Sequence, residues 1–202
     1  MSSLMPEPFA GVREMRTTML FAAAALFIIG SIWLTTRLHS EEAVAANVAA
    51  KESAAVLAPE FTSVSAWINS KPVRLGDQKG KVVVVHFWTN GCINCIHNYP
   101  HYRAWQDKYR EEKRFLMVGV HTPEFESEHD LKQIEAKAAA NKLTFAIAVD
   151  NDNANWNAWK NRFWPCIYLV DKSGVVRLRW DGELGGKGYE KMTAAIDDLL
   201  KE

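Results

Sequence analysis

Apolar and polar positions alternate between two periods over the C-terminal two-thirds of the chain. Val82–Val85 is an unbroken β-branched run, the pattern of a strand covered on both faces. Further buried strands are predicted over Phe115–His121, Phe145–Val149, Cys166–Val170 and Val175–Asp181, the last two joined by the hairpin-type turn Asp171–Gly174. Between them the period lengthens to three and four. A helix is predicted from Cys92 to about Glu112, with Pro100 inside it, and another over Glu128–Asn141 with Leu131, Ile134 and Ala138 on one face. A short Trp-rich helix follows around Trp156 and Trp159, and Gly188–Leu200 closes the pattern with Met192, Ile196 and Leu199 inward. Trp67–Leu75 reads as a small hairpin turning at Asn69–Ser70. This order implies an α/β fold, a mixed central sheet with helices on both faces.

The N-terminal third has a different pattern. Residues 1–16 are polar to mixed and carry Arg13 and Arg16, whereas 17–36 hold no charge. About twenty helical residues span roughly 30 Å, the thickness of a bilayer core. The segment therefore reads as a transmembrane anchor, with Trp33 at its far end and the two arginines holding the N-terminus inside. A cleaved secretory signal is the alternative, although its apolar core is usually shorter. Either way residues 60–202 leave the cytoplasm, as a domain in the periplasm or outside the cell. Residues 37–59 turn Ala-rich, offer little to bury, and read as a tether.

Charge excludes one class of partner: 24 basic and 24 acidic residues cancel, leaving no basic patch for nucleic acid. Three cysteines are too few for a disulfide scaffold, and two of them, Cys92 and Cys95, form one C-x-x-C. Structural zinc wants four ligands, and there is no second pair. No metal or other cofactor is expected beyond a redox-active Cys92–Cys95 disulfide.

The pair stands where strand turns to helix, through Thr89-Asn90-Gly91. A thiolate at a helix N-terminus is favoured by free N–H groups and the macrodipole, so Cys92 is expected to be the nucleophile. Cys95, one turn later, can attack the mixed disulfide that Cys92 forms. Other candidates have plain structural readings beside the chemical one. His121 and Glu124 end a core strand where sites often lie, but Glu124 also suits an ordinary loop. His97 and His101 share a helical face. Cys166 is readable as a small buried hydrophobe, and Trp164 as core or groove.

The stretches FWTNGCINC, GVHTPEF, AVDNDNANWNAW and RFWPCIYLVDKSG, with the closing helix, resemble in order the thioredoxin-like redoxins of the TlpA type. The resemblance extends more closely to the C-terminal domain of DipZ-type proteins and covers about residues 61–202. It implies a thioredoxin fold and a membrane-anchored thiol:disulfide oxidoreductase acting on protein thiols and disulfides. A membrane electron-transfer partner and a place in cytochrome c maturation are further implications. It also implies that Cys92 attacks, that Cys95 resolves, and that Pro165 is a cis-proline whose loop packs against the disulfide. His86 stands where relatives often have a buried Asp or Asn, and could take a proton from Cys95. Gly91 replaces a bulkier residue and is expected to open the site, and Cys166 would add a third thiol near the disulfide. Two alternatives use the same fold. A copper-binding metallochaperone would hold metal with the two thiols and a histidine such as His121. A thiol peroxidase would need a threonine near the attacking cysteine, for which Thr89 is the candidate.

Overall fold

The computed structural model describes residues 56–202. The apolar segment 17–36, with its readings as anchor or signal, lies outside the described residues, as do residues 1–16 and the tether up to residue 55. Among the described residues no helix is long and apolar enough to cross a membrane.

Among the described residues six strands form one mixed sheet: β1 (Ala66–Ile68), β2 (Val82–Trp88), β3 (Phe115–His121), β4 (Ala146–Val149), β5 (Cys166–Val170) and β6 (Val176–Asp181). Their spatial order is β1-β4-β3-β2-β5-β6. Strands β2, β3 and β4 run parallel, and β1, β5 and β6 pair with their neighbours antiparallel. Every residue of β2 is buried, because this strand lies between neighbours with cover on both faces. Its side chains divide by parity. Val82, Val84 and Trp88 join a core with Cys95, Tyr99, Tyr102 and Trp105 of α1 (Ile93–Lys108), Ile134 and Ala138 of α2 (Leu131–Ala140), and Met192, Ile196 and Leu199 of α4 (Gly185–Lys201). Val83, Val85 and Phe87 face the other way, toward Trp159, Cys166 and Tyr168, with Trp156 of α3 (Ala154–Ala158) packed alongside. Helices thus cover both faces, unequally: three on one, the short α3 on the other.

Several boundaries differ from the sequence reading. The Trp67–Leu75 hairpin does not form. β1 pairs with β4, Asn69 takes a φ of 63°, and its amide donates to the carbonyls of Leu143 (2.9 Å) and Phe145 (3.1 Å). The following segment is held instead by the Glu60 carboxylate, which accepts the N–H groups of Leu75 (2.8 Å) and Gly76 (3.0 Å). α1 stops at Lys108 rather than near Glu112, and Tyr109 just beyond it donates to Asp197 of α4 at 2.8 Å. α2 begins at Leu131, three residues later than predicted, because Asp130 caps it by accepting the N–H of Lys132 at 2.8 Å. Glu126–Glu128 is a separate 3-10 turn. At the other end, residues 56–58 pair with the β5–β6 turn through Ala58 N–H to Gly174 and Val176 N–H to Val56, both 2.9 Å.

Candidate active site

Cys92 is the N-cap of α1, with extended backbone angles (φ −76°, ψ 108°). Its Sγ accepts the backbone N–H of Cys95 at 3.0 Å, taking up one of the free donors of the first turn. The two sulfurs are joined as a disulfide, with the Cα atoms 5.3 Å apart. Cys92 is half-buried and Cys95 fully buried, so the first is the more accessible of the two. That asymmetry suits an attacking and a resolving thiol. Pro165, buried just before β5, follows a cis Trp164–Pro165 bond. Trp164 is half-buried, stacks on Trp156 with ring centroids 3.9 Å apart, and donates its indole N–H to the carbonyl of Thr122 at 3.1 Å. These contacts tie the proline loop to the end of β3.

Glu128, which the sequence reading assigned to a helix start, is buried behind the turn that leads into Cys92. Its Oε1 accepts the N–H of Gly91 at 2.9 Å, and its Oε2 accepts the Thr89 hydroxyl at 2.6 Å and the Glu124 N–H at 2.7 Å. A longer bond of 3.3 Å comes from the Phe125 N–H. Burial pushes the Glu128 carboxyl upward, but the Thr89 hydroxyl and the three N–H groups outweigh it and hold the pKa below the usual range. Gly91 has a specific reason to be glycine: an added Cβ would clash with Glu128 Oε1. The expectation that Gly91 opens the site is therefore corrected, because the carboxylate occupies that space. Thr89, the candidate peroxide-binding residue, gives its hydroxyl to the same carboxylate.

The remaining candidates separate. Glu124 contributes its backbone to this network while its side chain is exposed. His121 is buried and contacts the turn before Cys92. Its Nε2 accepts the Asn90 N–H at 3.3 Å and lies 3.4 Å from Thr89 Oγ1, while Nδ1 has no partner among the described residues. Burial lowers its pKa to about 4, against the opposing charge of Glu128, so the ring is neutral near pH 7. His86 is fully buried, edge-on to Phe145 and 4.2 Å from the Tyr102 ring. Among the described residues neither ring nitrogen has a hydrogen-bond partner, and burial lowers its pKa to about 3. No hydrogen bond connects it to either cysteine. Cys166 belongs to the opposite face of the sheet from Cys95. Its thiol donates to Asp181 Oδ1 at 2.9 Å, and burial first, then that bond, raise its pKa to about 12. It is a buried small residue, not a third thiol beside the disulfide. His97 pairs with Glu183 at 3.0 Å while His101 stacks on Tyr189 at 4.8 Å. Their shared helical face has separate uses.

Two residues with structural weight gave little sequence signal. Asn98 is buried in α1, accepts the N–H of Leu184 at 2.8 Å and donates to the carbonyl of Gly182 at 3.3 Å, fixing the β6–α4 connection to the active-site helix. Glu128 is one of three acids in Glu124–Glu128, and only the 3-10 turn selects it. A glycine immediately before Cys92 was the available clue.

Residues 55–179 match the family model described as AhpC/TSA. The DipZ protein of Mycobacterium bovis is 40% identical over 124 residues, covering 59% of this chain but only 18% of that protein. The thiol-disulfide oxidoreductase YkuV of Bacillus subtilis is 31% identical over 144 residues, 71% of this chain and 94% of its own length. A thioredoxin-like protein solved in solution in its oxidised form superposes with a TM-score of 0.63 at 30% identity, covering 73% of this chain and 96% of its own. With a C-x-x-C disulfide capping the helix after the central strand and a family match over more than half its length, the chain belongs to the AhpC/TSA family as a protein of thioredoxin-like fold.

Proposed function

We propose that the chain works outside the cytoplasm, held to the membrane by residues 17–36, as a reductant of disulfides in other proteins. It is a thiol–disulfide oxidoreductase of the thioredoxin-like kind. In the reductive direction the Cys92 thiolate attacks one sulfur of a partner disulfide, a mixed disulfide forms, and the other partner sulfur leaves as a thiolate that takes up a proton. Cys95 then loses its proton and attacks Cys92 Sγ, the second partner thiolate leaves, and the Cys92–Cys95 disulfide remains. Two electrons pass to the partner, and a membrane electron-transfer partner must return them.

The observation that carries this reading is the asymmetric pair: a half-buried Cys92 at the helix N-cap, one turn before a fully buried Cys95. A protein partner is supported by three large apolar side chains exposed on the segments that build the site. Ile93 follows Cys92 and is 62% exposed, Phe125 lies in the loop that carries Glu128 at 61%, and Phe163 precedes Trp164 at 58%. The extracytoplasmic setting rests on the apolar 17–36 segment, with Arg13 and Arg16 before it, and on the likeness to DipZ. Delivery of electrons to apocytochrome cysteines is one use consistent with that setting. The test is substitution in the full-length chain. Cys92→Ser is expected to abolish disulfide reductase activity, and Cys95→Ser to accumulate a covalent mixed disulfide with the partner that dithiothreitol releases. Full activity in Cys92→Ser would overturn the assignment.

A further inference from the structure

We propose that Glu128 is a positioning residue of the redox site, whose carboxylate fixes the Thr89–Gly91 turn and makes the Cys92–Cys95 pair more reducing by disfavouring the Cys92 thiolate. The inference rests on the dithiol exchange described above and adds what sets its driving force.

Three observations converge on it. First, the carboxylate is buried yet fully partnered, with Gly91, Thr89, Glu124 and Phe125 all donating to it. Such a group keeps its negative charge, since each bond favours the ionised form. Second, a Cβ at residue 91 would clash with the carboxylate and have to displace it, so the carboxylate and the glycine before Cys92 are fitted to each other. Third, the bond to Gly91 commits the N–H nearest before Cys92 to an oxygen of Glu128 instead of to a thiolate. His121, which touches the turn through Asn90 and Thr89, is neutral near pH 7 and does not offset the charge.

The sign follows. A negative charge behind the turn repels a thiolate at Cys92 and leaves the disulfide unaffected. The reduced state is therefore disfavoured relative to the oxidised one, and the pair gives up electrons more readily. Removing the charge should stabilise the thiolate, lower the pH at which Cys92 ionises and make the pair more oxidising.

The experiment measures thiol–disulfide equilibria of the full-length chain in graded glutathione buffers, with thiolate absorbance near 240 nm as a second readout. Glu128→Gln is expected to move the equilibrium with glutathione toward the dithiol by on the order of tenfold, which is about 30 mV for two electrons. Cys92 is expected to ionise about one pH unit lower, the tenfold change in thiolate ratio that one unit represents. Gly91→Ala displaces the carboxylate and should shift both readouts the same way, adding little in the Glu128→Gln background. Glu126→Gln, on a side chain 98% exposed, should leave both unchanged. A folded Glu128→Gln protein with wild-type potential and wild-type Cys92 ionisation would overturn the proposal. If Glu128→Gln does not fold, Gly91→Ala decides by the same criterion; if neither folds, Glu128 is a purely structural residue and the proposal falls. A wild-type chain with no reversible transition would instead defeat the exchange reading, so the two failures are distinguishable.

Discussion

Glu128 and His86 are two buried ionisable side chains on the segments that build the redox site, and they are treated in opposite ways. Glu128 arrives from a loop and meets four donors. His86 is part of β2, six residues before Cys92, and meets rings: Tyr102 on one side and Phe145 on the other. Neither of its nitrogens is hydrogen-bonded among the described residues. Burial alone would neutralise both groups, because it penalises the charged form of each. Partners reverse that outcome for Glu128 and are missing for His86, so one stays charged and the other stays neutral. A buried ionisable residue near a thiol is thus not by itself an acid–base group; its partners decide.

The comparison breaks most visibly if each side chain is replaced by an apolar one. Glu128→Ala leaves the donors of Gly91, Thr89, Glu124 and Phe125 with no acceptor. At about 1–3 kcal/mol for each buried group that water cannot reach, thermal or urea unfolding should show a loss on the order of 3 kcal/mol. His86→Phe should act in the reverse direction. It removes two unsatisfied nitrogens from an aromatic environment and is expected to raise stability by about 1 kcal/mol at pH 7, through a higher denaturation midpoint with unchanged slope. A destabilised His86→Phe protein would mean that the ring has a partner of consequence.

The smallest effect sharpens the distinction through pH. The folded pKa of His86 is lowered to about 3 from an ordinary 6.5, so the unfolded chain takes up this proton first. Above pH 6.5 neither state holds the proton and the group adds no pH dependence; as pH falls from there toward 3 the folded state is progressively penalised. The Glu128 pKa is also lowered, below 4.5, and its contribution is lost only as pH falls through that lower range. In His86→Phe the decline between pH 6.5 and 4.5 should therefore flatten, while the steeper loss at lower pH remains. Denaturant midpoints read across that interval check it.

Much of this was legible in the sequence because it follows from period and local chemistry. The β2 run, the break at Thr89–Gly91 and the three-to-four spacing beyond Cys92 place the C-x-x-C at a helix start without reference to anything distant. The face on which Cys166 lies was also within reach: Phe87 and Cys166 are paired in register on β2 and β5, and their side chains share the core opposite to that of Trp88 and Cys95. What escaped depends on contacts between residues far apart in the chain. Gly91 and Glu128 are 37 positions apart, and their fit depends on the 3-10 turn that ends before Asp130 begins α2. The absent hairpin failed for a similar reason. Asn69 and Ser70 have turn chemistry, but the amide of Asn69 bonds to the segment entering β4 and the chain does not double back.

The central claim is that Cys92 and Cys95 interconvert between dithiol and disulfide at a potential suited to reducing other proteins. Equilibration of the full-length chain in graded glutathione buffers, with the thiol state read by alkylation and mass, tests it most directly. The expected result is a reversible two-electron transition near about −250 mV or below, the range of a reductant that must be recharged by a donor. A potential near about −120 mV would make the protein an oxidant that introduces disulfides. The absence of any reversible transition involving Cys92 and Cys95 would contradict the account altogether.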